Sequence, residues 1–167
     1  RLVDAVEKHW EHLAQAGHTV AAPRLPGHGT RWQDLNMTRW QDWYQEAERN
    51  LAWLQARCRD IVIMGFANGA TLGLRVAEQQ GKQVRGLVLV NPAQDFTERL
   101  MWPGLADHER HAILRDGEVR IVEAGHGEYI LTRGLFEDGR DWLLLDAPLP
   151  IAAPVHILQG RADDVVP

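Results

Sequence analysis

The chain has 167 residues, a formal net charge of −5, one cysteine and a hydrophobic content of 45%. No stretch approaches the roughly 18 to 20 uncharged apolar residues that span a bilayer, so stable membrane insertion is not expected. The negative charge argues against a nucleic-acid partner, which needs a basic face. Because Cys58 is the only cysteine, it cannot form an internal disulfide, and this favours a reducing cytoplasm.

An amphipathic helix is the first predicted element. Residues 3–16 place apolar side chains on one helical face, and Gly17 is a natural stop after them. The mixed charge of this segment is unlike that of a signal or transit peptide. The next stretch, "HTVAAP" at 18–23, predicts a strand, and "RLPGHGTRW" after it predicts a turn-rich loop.

A long helix follows, with Thr38 as its predicted N-cap. Its apolar residues recur at helical spacing and form one stripe, which consists of Trp40, Trp43, Tyr44, Ala47, Leu51 and Leu54. A stripe of this kind is typical of a buried helix face. We therefore predict that it packs into the core.

Two apolar runs flank a helical segment in the middle of the chain. "DIVIMGF" at 60–66 and "VRGLVLVNP" at 84–92 are suited to buried parallel strands. "NGATLGLRVAEQQ" at 68–80 predicts the helix between them, and Gly81 ends it. Together with "HTVAAP" and the late run "VHILQG" at 155–160, they predict an α/β fold with four parallel strands in one sheet.

The pattern changes between residues 94 and 154. "LADHERHAILRDG" and "YILTRGLFEDGRDWLLL" each predict a helix, and no strong strand is evident before "VHILQG". A stretch of this length is too long for a plain loop. The sequence thus predicts one domain over residues 1–167, with 94–154 inserted as a helical cap over the carboxyl ends of the strands.

The stretch Gly65-Phe66-Ala67-Asn68-Gly69 nearly matches G-x-S-x-G, the nucleophile elbow between a strand and a helix. An alanine stands where the pattern has serine, and the chain contains no serine at all, although about eight are expected at this length. Thr71, four residues on, is expected to point away from the elbow. The glycines alone would equally fit an ordinary strand-to-helix turn.

With these motifs in place, the sequence resembles the α/β-hydrolase superfamily over nearly the whole chain. Residues 18–92 look most like bacterial carboxylesterases of the monoacylglycerol-lipase type, through "LPGHGT", "TRWQDWY" and the elbow. Residues 93–167 are similar to acyl-protein thioesterases and acyl-glucuronide esterases, through "PAQDFTERLMWPG", "LLLDAPLPIAAPVHILQG" and "DDVVP". The resemblance implies a mainly parallel sheet with helices on both faces and a helical cap, and leaves the branch open.

The resemblance also implies roles for individual residues. Ala67 takes the nucleophile position, and the backbone N–H of Asn68 would contribute to the oxyanion hole. Asp163 would be the acid of the catalytic triad, with Asp164 as the alternative. If one imidazole bridges them, the Cα atoms of Ala67 and Asp163 should lie within about 12 Å of each other.

Phe66 and His28 are assigned to substrate binding, although His28 would also fit as a residue that shapes its turn. No metal or organic cofactor is implied. Three histidines, His108, His111 and His126, fall in the predicted cap without metal-ligand spacing.

Two parts of the expected machinery have no counterpart in the sequence. The family order is nucleophile, acid, histidine, whereas all eight histidines precede Asp163. A strand and loop supplying the second oxyanion donor are expected before residue 1. The sequence therefore predicts an incomplete hydrolase of apolar carboxylic esters or thioesters, inactive as written. The alternatives are a pseudo-hydrolase that binds an acyl ligand or a protein partner, or a fragment without a function of its own. The oligomeric state stays open.

Overall fold

The computed structural model describes residues 2–123, 127–163, 165 and 166. Its helices are α1 (Leu2–Gln15), α2 (Trp32–Asn36), α3 (Trp40–Gln55), α4 (Asn68–Gln80), α5 (Trp102–Gly104), α6 (Asp107–Asp116) and α7 (Arg133–Arg140). Its strands are β1 (Ile61–Phe66), β2 (Val84–Val90), β3 (Glu118–Glu123), β4 (Gly127–Thr132) and β5 (Val155–Leu158). A 3₁₀ turn follows α4 at Gly81–Gln83, and a π-helical turn precedes α5 at Thr97–Met101.

Three parallel strands form the main sheet, in the order β1-β2-β5. Ile63 lies opposite Leu87, and Leu89 lies opposite Ile157, so the three strands end at the same edge. The prediction of a parallel α/β sheet is confirmed for these three. The fourth strand is wrong, because residues 18–23 have no ladder partner among the described residues and carry no strand.

Helix α4 covers one face of the sheet. Its buried residues Ala70, Leu74 and Ala77 pack against Leu87 and Leu89 of β2. The predicted stripe of α3 packs behind it, where Trp40, Tyr44 and Leu51 meet Leu72 and Val76. The prediction that this stripe is core is confirmed.

The opposite face of the sheet is more open. Side chains alternate along a strand, and Gly65 faces α4, so Phe66 points the other way. There its ring meets that of His9 on α1, with 6.4 Å between the ring centroids. Val62 and Met64 on the same face are 58% and 41% exposed. Helix α1 thus contacts the second face at the carboxyl end of β1.

The N-cap of helix α3 lies one residue later than predicted. Arg39 is the N-cap, and its N–H donates to Oδ2 of Asp42 at 2.8 Å. The Thr38 hydroxyl donates instead to the Leu35 carbonyl at 2.6 Å, so the assignment of Thr38 as the cap is wrong. The short helix α2 ends just before this point, and only its first residue, Trp32, lies in the stretch predicted as loop.

The segment 94–154 contains helices, as predicted, but also an antiparallel hairpin. Strands β3 and β4 pair Val119 with Leu131 and Ile121 with Tyr129. The prediction of one helix over 129–145 is therefore wrong, because residues 127–132 are strand and only Arg133–Arg140 is helical. The segment has a core of its own, formed by Ile113, Leu131 and Phe136.

The last part of this segment belongs to the main core. Leu144 is buried against Leu87 and Leu89, and Leu149, Ile151 and Ala153 pack against the same cluster. The separate core of the segment is thus made by α6, α7 and the hairpin, and the chain rejoins the sheet before residue 154.

Within the described residues, no helix is both long enough and apolar enough to cross a membrane.

Candidate active site

The candidate site lies where β1 runs into α4. Ala67 is the single residue between them, and it adopts a left-handed backbone conformation with φ of 46°. Its N–H still donates to the Val90 carbonyl at 3.1 Å, and its carbonyl accepts from the N–H of Ala70 at 3.0 Å. Position 67 therefore stands on a sharp strand-to-helix turn, a conformation that is uncommon for a residue other than glycine.

The two glycines of the elbow differ in why they are needed. A Cβ atom at Gly65 would lie 2.5 Å from the Ala70 Cα atom and 2.5 Å from the Gly69 carbonyl oxygen. Strand and helix thus approach closely at Gly65. A Cβ atom at Gly69 would meet no heavy atom of the described residues within 4 Å. The close approach therefore explains the glycine at position 65 but not the one at position 69.

Asn68 is the first residue of α4, where the backbone N–H groups have no carbonyl four residues earlier to bind. These N–H groups carry the positive end of the helix dipole, so they favour a negative oxygen. The side-chain Oδ1 of Asn68 is buried without a hydrogen-bond partner among the described residues. The geometry thus suits the predicted oxyanion N–H of Asn68.

Asp163 lies in the loop after β5, at the same edge of the sheet. Its Oδ1 accepts from the N–H groups of Val165 and Val166, both at 3.0 Å, and its Oδ2 accepts from the side chain of Asn91. Asn91 immediately follows β2, the strand between β1 and β5. Two strand spacings of about 4.8 Å separate β1 from β5, so the strand ends that lead to Ala67 and to the Asp163 loop lie about 10 Å apart. The alternative acid, Asp164, lies outside the described residues.

The two residues assigned to substrate binding lie in different surroundings. Phe66 lines a cavity of about 320 Å³ beside β1, together with Trp10, Ala22 and Leu54. His28 does not line this cavity. Its ring packs against Trp43 at 5.1 Å, and its Nδ1 lies 3.3 Å from the Pro26 carbonyl. These contacts fit the alternative interpretation of His28 as a residue that shapes its turn.

The cavity borders the elbow at one of its ends. Gly65, Phe66 and Gly69 line one end, but Asp163 and the segment 94–154 contribute no lining residue. An acyl pocket between the sheet edge and that segment, as the sequence suggested, is therefore a different space from this cavity. The hydrogen bonds at the carboxyl ends of the strands define the candidate site, and the cavity adjoins it.

Two histidines of the predicted cap, and Thr71, lie on helices rather than at the strand ends. His108 and His111 belong to α6, and His126 is outside the described residues. The Thr71 hydroxyl donates to the Ala93 carbonyl at 3.4 Å, away from the nucleophile position. Across the described part of the chain, no three His, Cys, Asp or Glu side chains are grouped so as to hold a metal ion.

Sequence reasoning missed two polar residues near the elbow, Asn91 and Asp95. Both have left-handed backbones, with φ of 43° and 53°. The Asp95 carboxylate is buried and accepts from the N–H groups of Leu144 and Leu145 at 2.7 and 2.9 Å. The N–H of Ala93, between them, donates to the Ala67 carbonyl at 3.3 Å. Asn91 directly follows β2, but the contacts of Asn91 and of Asp95, which lies further along the chain, have no local sequence signal.

Comparisons with known proteins agree with this geometry. The sequence profile of the alpha/beta hydrolase family matches residues 4–166. A thermostable monoacylglycerol lipase of Bacillus sp. (strain H-257) is 41% identical over 86 residues, which are 52% of this chain and 34% of the lipase.

Solved structures give the same result. The crystal structure of a putative hydrolase from Agrobacterium vitis S4 has a TM-score of 0.72 and 32% identity, over 86% of this chain and 57% of that one. A structure reported with the metagenome-derived lipolytic enzymes LipS and LipT has a TM-score of 0.67 and 25% identity, over 94% of this chain and 66% of that one. Mouse alpha/beta hydrolase domain-containing protein 10, at 21% identity and a TM-score of 0.64, shows the fold alone, over 80% of this chain and 53% of that one. The chain thus spans about a third of the lipase and between half and two thirds of these structures.

Proposed function

Because this chain belongs to the alpha/beta hydrolase family, we propose that Ala67, Asn68 and Asp163 mark the catalytic site of a serine hydrolase for carboxylic esters or thioesters. The observation that carries the proposal is the left-handed turn at Ala67, between a parallel strand and the start of a helix. In this setting a side chain at position 67 projects from a sharp turn beside the first backbone N–H groups of α4. The carboxylate of Asp163 lies two strands away on the same edge.

Each position has a defined task in the family mechanism. A serine oxygen at position 67 would attack the acyl carbon, an imidazole would take its proton, and Asp163 would orient that imidazole. The imidazole would pass the proton to the departing alcohol or thiol, and water would then release the acid. The Asn68 N–H would bind the oxygen that becomes negative during attack.

The chain as written lacks this reactivity. The methyl group of Ala67 carries no lone pair and cannot attack a carbonyl carbon. In addition, the hydrogen bonds that the described residues make to the Asp163 carboxylate come from Asn91, Val165 and Val166. We therefore propose that the chain is inactive although the backbone of its elbow is intact.

The substrate class follows from the surroundings and the relatives. The matched lipase is named for monoacylglycerols, and for this chain we propose an apolar acyl ester or thioester of small size. Phe66 and His28 remain the proposed substrate contacts, and the segment 94–154 remains the proposed cap of a single domain over 1–167. A cytoplasmic location is proposed on the lone Cys58.

A second function is favoured by the intact elbow around an unreactive side chain. A pseudo-hydrolase would keep the turn, the helix N-terminus and the cavity, and would bind an acyl ligand or a protein partner without turnover. Binding of decanoate, followed by quenching of tryptophan fluorescence, reports this function directly. Saturable decanoate binding by both the unmodified chain and Ala67→Ser, with no ester hydrolysis by either, would favour the pseudo-hydrolase over the hydrolase.

We expect no hydrolysis of p-nitrophenyl butyrate by the 167-residue chain or by its Ala67→Ser variant. The nucleophile and its base act as a unit, so restoring one of them recovers almost nothing. The measurement is the release of p-nitrophenol above the uncatalysed rate. Heat-denatured protein at the same concentration is the control.

Either of two results would contradict this expectation. Clear turnover by the unmodified chain would refute the account of the elbow. Turnover by Ala67→Ser alone would mean that one of the existing histidines is the base. His9 would then be the first to replace, ahead of His28, because its ring contacts Phe66 next to the elbow.

A further inference from the structure

Asn91 occupies the same place on β2 that Ala67 occupies on β1. Phe66 and Val90 lie opposite each other in the sheet, so residues 67 and 91 each come one step beyond the ladder. Both turn into the left-handed conformation, with φ of 46° and 43°. Ala67 donates its N–H to Val90 at 3.1 Å, and Asn91 donates its N–H to Leu158 at 2.8 Å. Backbone hydrogen bonds thus join the carboxyl end of β1 to that of β2, and that of β2 to that of β5.

The side chain of Asn91 extends this link to the loop after β5. Its Nδ2 donates to Oδ2 of Asp163, and its Oδ1 accepts from the N–H of Gly160 at 2.9 Å. One amide therefore holds both ends of the turn between residues 160 and 163. Asparagine suits this position because it tolerates a left-handed backbone and carries a donor and an acceptor on one rigid group.

The bonds to the Asp163 carboxylate are divided unevenly between its oxygens. Among the described residues, Oδ1 accepts from two backbone N–H groups, and Oδ2 accepts from Asn91 alone. An ionised carboxylate has about two acceptor sites on each oxygen. The acceptor site that remains is therefore on Oδ2, the oxygen that Asn91 holds.

We propose that Asn91 is a positioning residue, which fixes the Asp163 carboxylate so that Oδ2 is left to accept the N–H of an imidazole. The inference rests on the proposed function, because it assumes that Asp163 is the acid of the site. Asn91 itself touches neither substrate nor the reacting atoms. It acts by holding the carboxylate and its loop together.

The contact is tested first by NMR spectroscopy of the 167-residue chain at neutral pH. We expect Asn91→Gly to shift the carboxyl ¹³C resonance of Asp163 clearly, because the variant removes a hydrogen bond to the carboxylate. Glycine keeps the left-handed backbone. The resonance is assigned by its loss in Asp163→Asn.

Two further variants make the comparison decisive. Asn91→Asp keeps an acceptor for Gly160 but replaces the donor to Oδ2 with a second carboxylate, so it should shift the same resonance. This variant carries the test if Asn91→Gly fails to fold. Asn50→Ala removes an amide that bonds to Glu46 within α3 and should leave the resonance unchanged. A resonance of Asp163 that stays the same in both Asn91 variants would overturn the inference.

The second arm measures turnover in the gene product that carries these residues together with Ala67→Ser. Adding Asn91→Gly should lower kcat for p-nitrophenyl butyrate about tenfold and leave KM nearly unchanged, because an orienting contact acts on the transition state. An unchanged kcat with a shifted resonance would overturn the positioning role. An inactive parent would overturn the proposed function and the positioning role with it, whereas the NMR comparison would still report the contact.

Discussion

Gly65→Ala is expected to lower the free energy of unfolding by about 3 kcal/mol or more. The added methyl group would lie 2.5 Å from the Ala70 Cα atom and 2.5 Å from the Gly69 carbonyl oxygen, both of them backbone atoms. No side-chain rotation relieves such a clash, so β1 and α4 must move apart. That movement would also displace Ala67, which lies between them. Urea unfolding followed by far-UV circular dichroism measures the loss.

Gly69→Ala is the matched control, four residues away in the same turn. Its methyl group would meet no heavy atom of the described residues within 4 Å, and alanine favours a helix over glycine by up to about 1 kcal/mol. We therefore expect this variant to be as stable as the parent or slightly more stable. Equal stability of the two variants would show that strand and helix are not in close contact at Gly65.

Asp95→Gly is expected to cost about 3 kcal/mol of stability, because two backbone N–H groups would lose a charged acceptor. The Asp95 side chain is fully buried, and its oxygens accept from Leu144 and Leu145 at 2.7 and 2.9 Å. This contact joins the start of the segment 94–154 to the place where the chain returns to the sheet. Glycine keeps the left-handed backbone at this position, so the variant reports the carboxylate rather than strain.

Asp146→Gly is the control for this prediction. Asp146 pairs with Arg99, as Asp95 does, but its side chain is 71% exposed. Exposed ion pairs contribute between about 0 and 1 kcal/mol, so the loss should be small. If both variants lose the same stability in urea unfolding, the buried carboxylate is not what anchors the segment.

The strongest sequence signals were those that depend only on local pattern. β1, α4, β2 and β5 were predicted at nearly their observed bounds, because apolar runs and helical spacing are local patterns, although all four residues of β5 are exposed. "HTVAAP" has a similar composition, yet residues 18–23 form no strand. A strand requires a partner for its backbone groups, and composition does not reveal whether one is present.

The hairpin in the segment 94–154 was missed for a different reason. Val119 and Ile121 alternate with Glu118 and Arg120, which is the period of a strand, but the run is short and charged. The helical pattern of "YILTRGLFEDGRDWLLL" also concealed the boundary at Arg133. In the structure Leu131 packs against Ile113 and Phe136, and this tertiary contact decides between strand and helix.

The polar contacts around the site could not be predicted because they join distant parts of the sequence. Asn91 and Asp163 are 72 residues apart, and Asp95 and Leu144 are 49 apart. Only the order of strands in the sheet brings them together. The positions of Ala67 and Asp163 at strand ends were accessible from the sequence, whereas the residue that links them was not.

Covalent labelling by a fluorophosphonate probe tests the assignment of the nucleophile and acid positions most directly. The gene product that carries these residues is compared with its Ala67→Ser variant and with that variant carrying Asp163→Asn. We predict label on the peptide that contains position 67 only when serine is present, and a labelling rate that falls at least about 100-fold with Asp163→Asn, because the acid orients the base. Label elsewhere, no label, or a rate that is indifferent to Asp163→Asn would contradict the assignment.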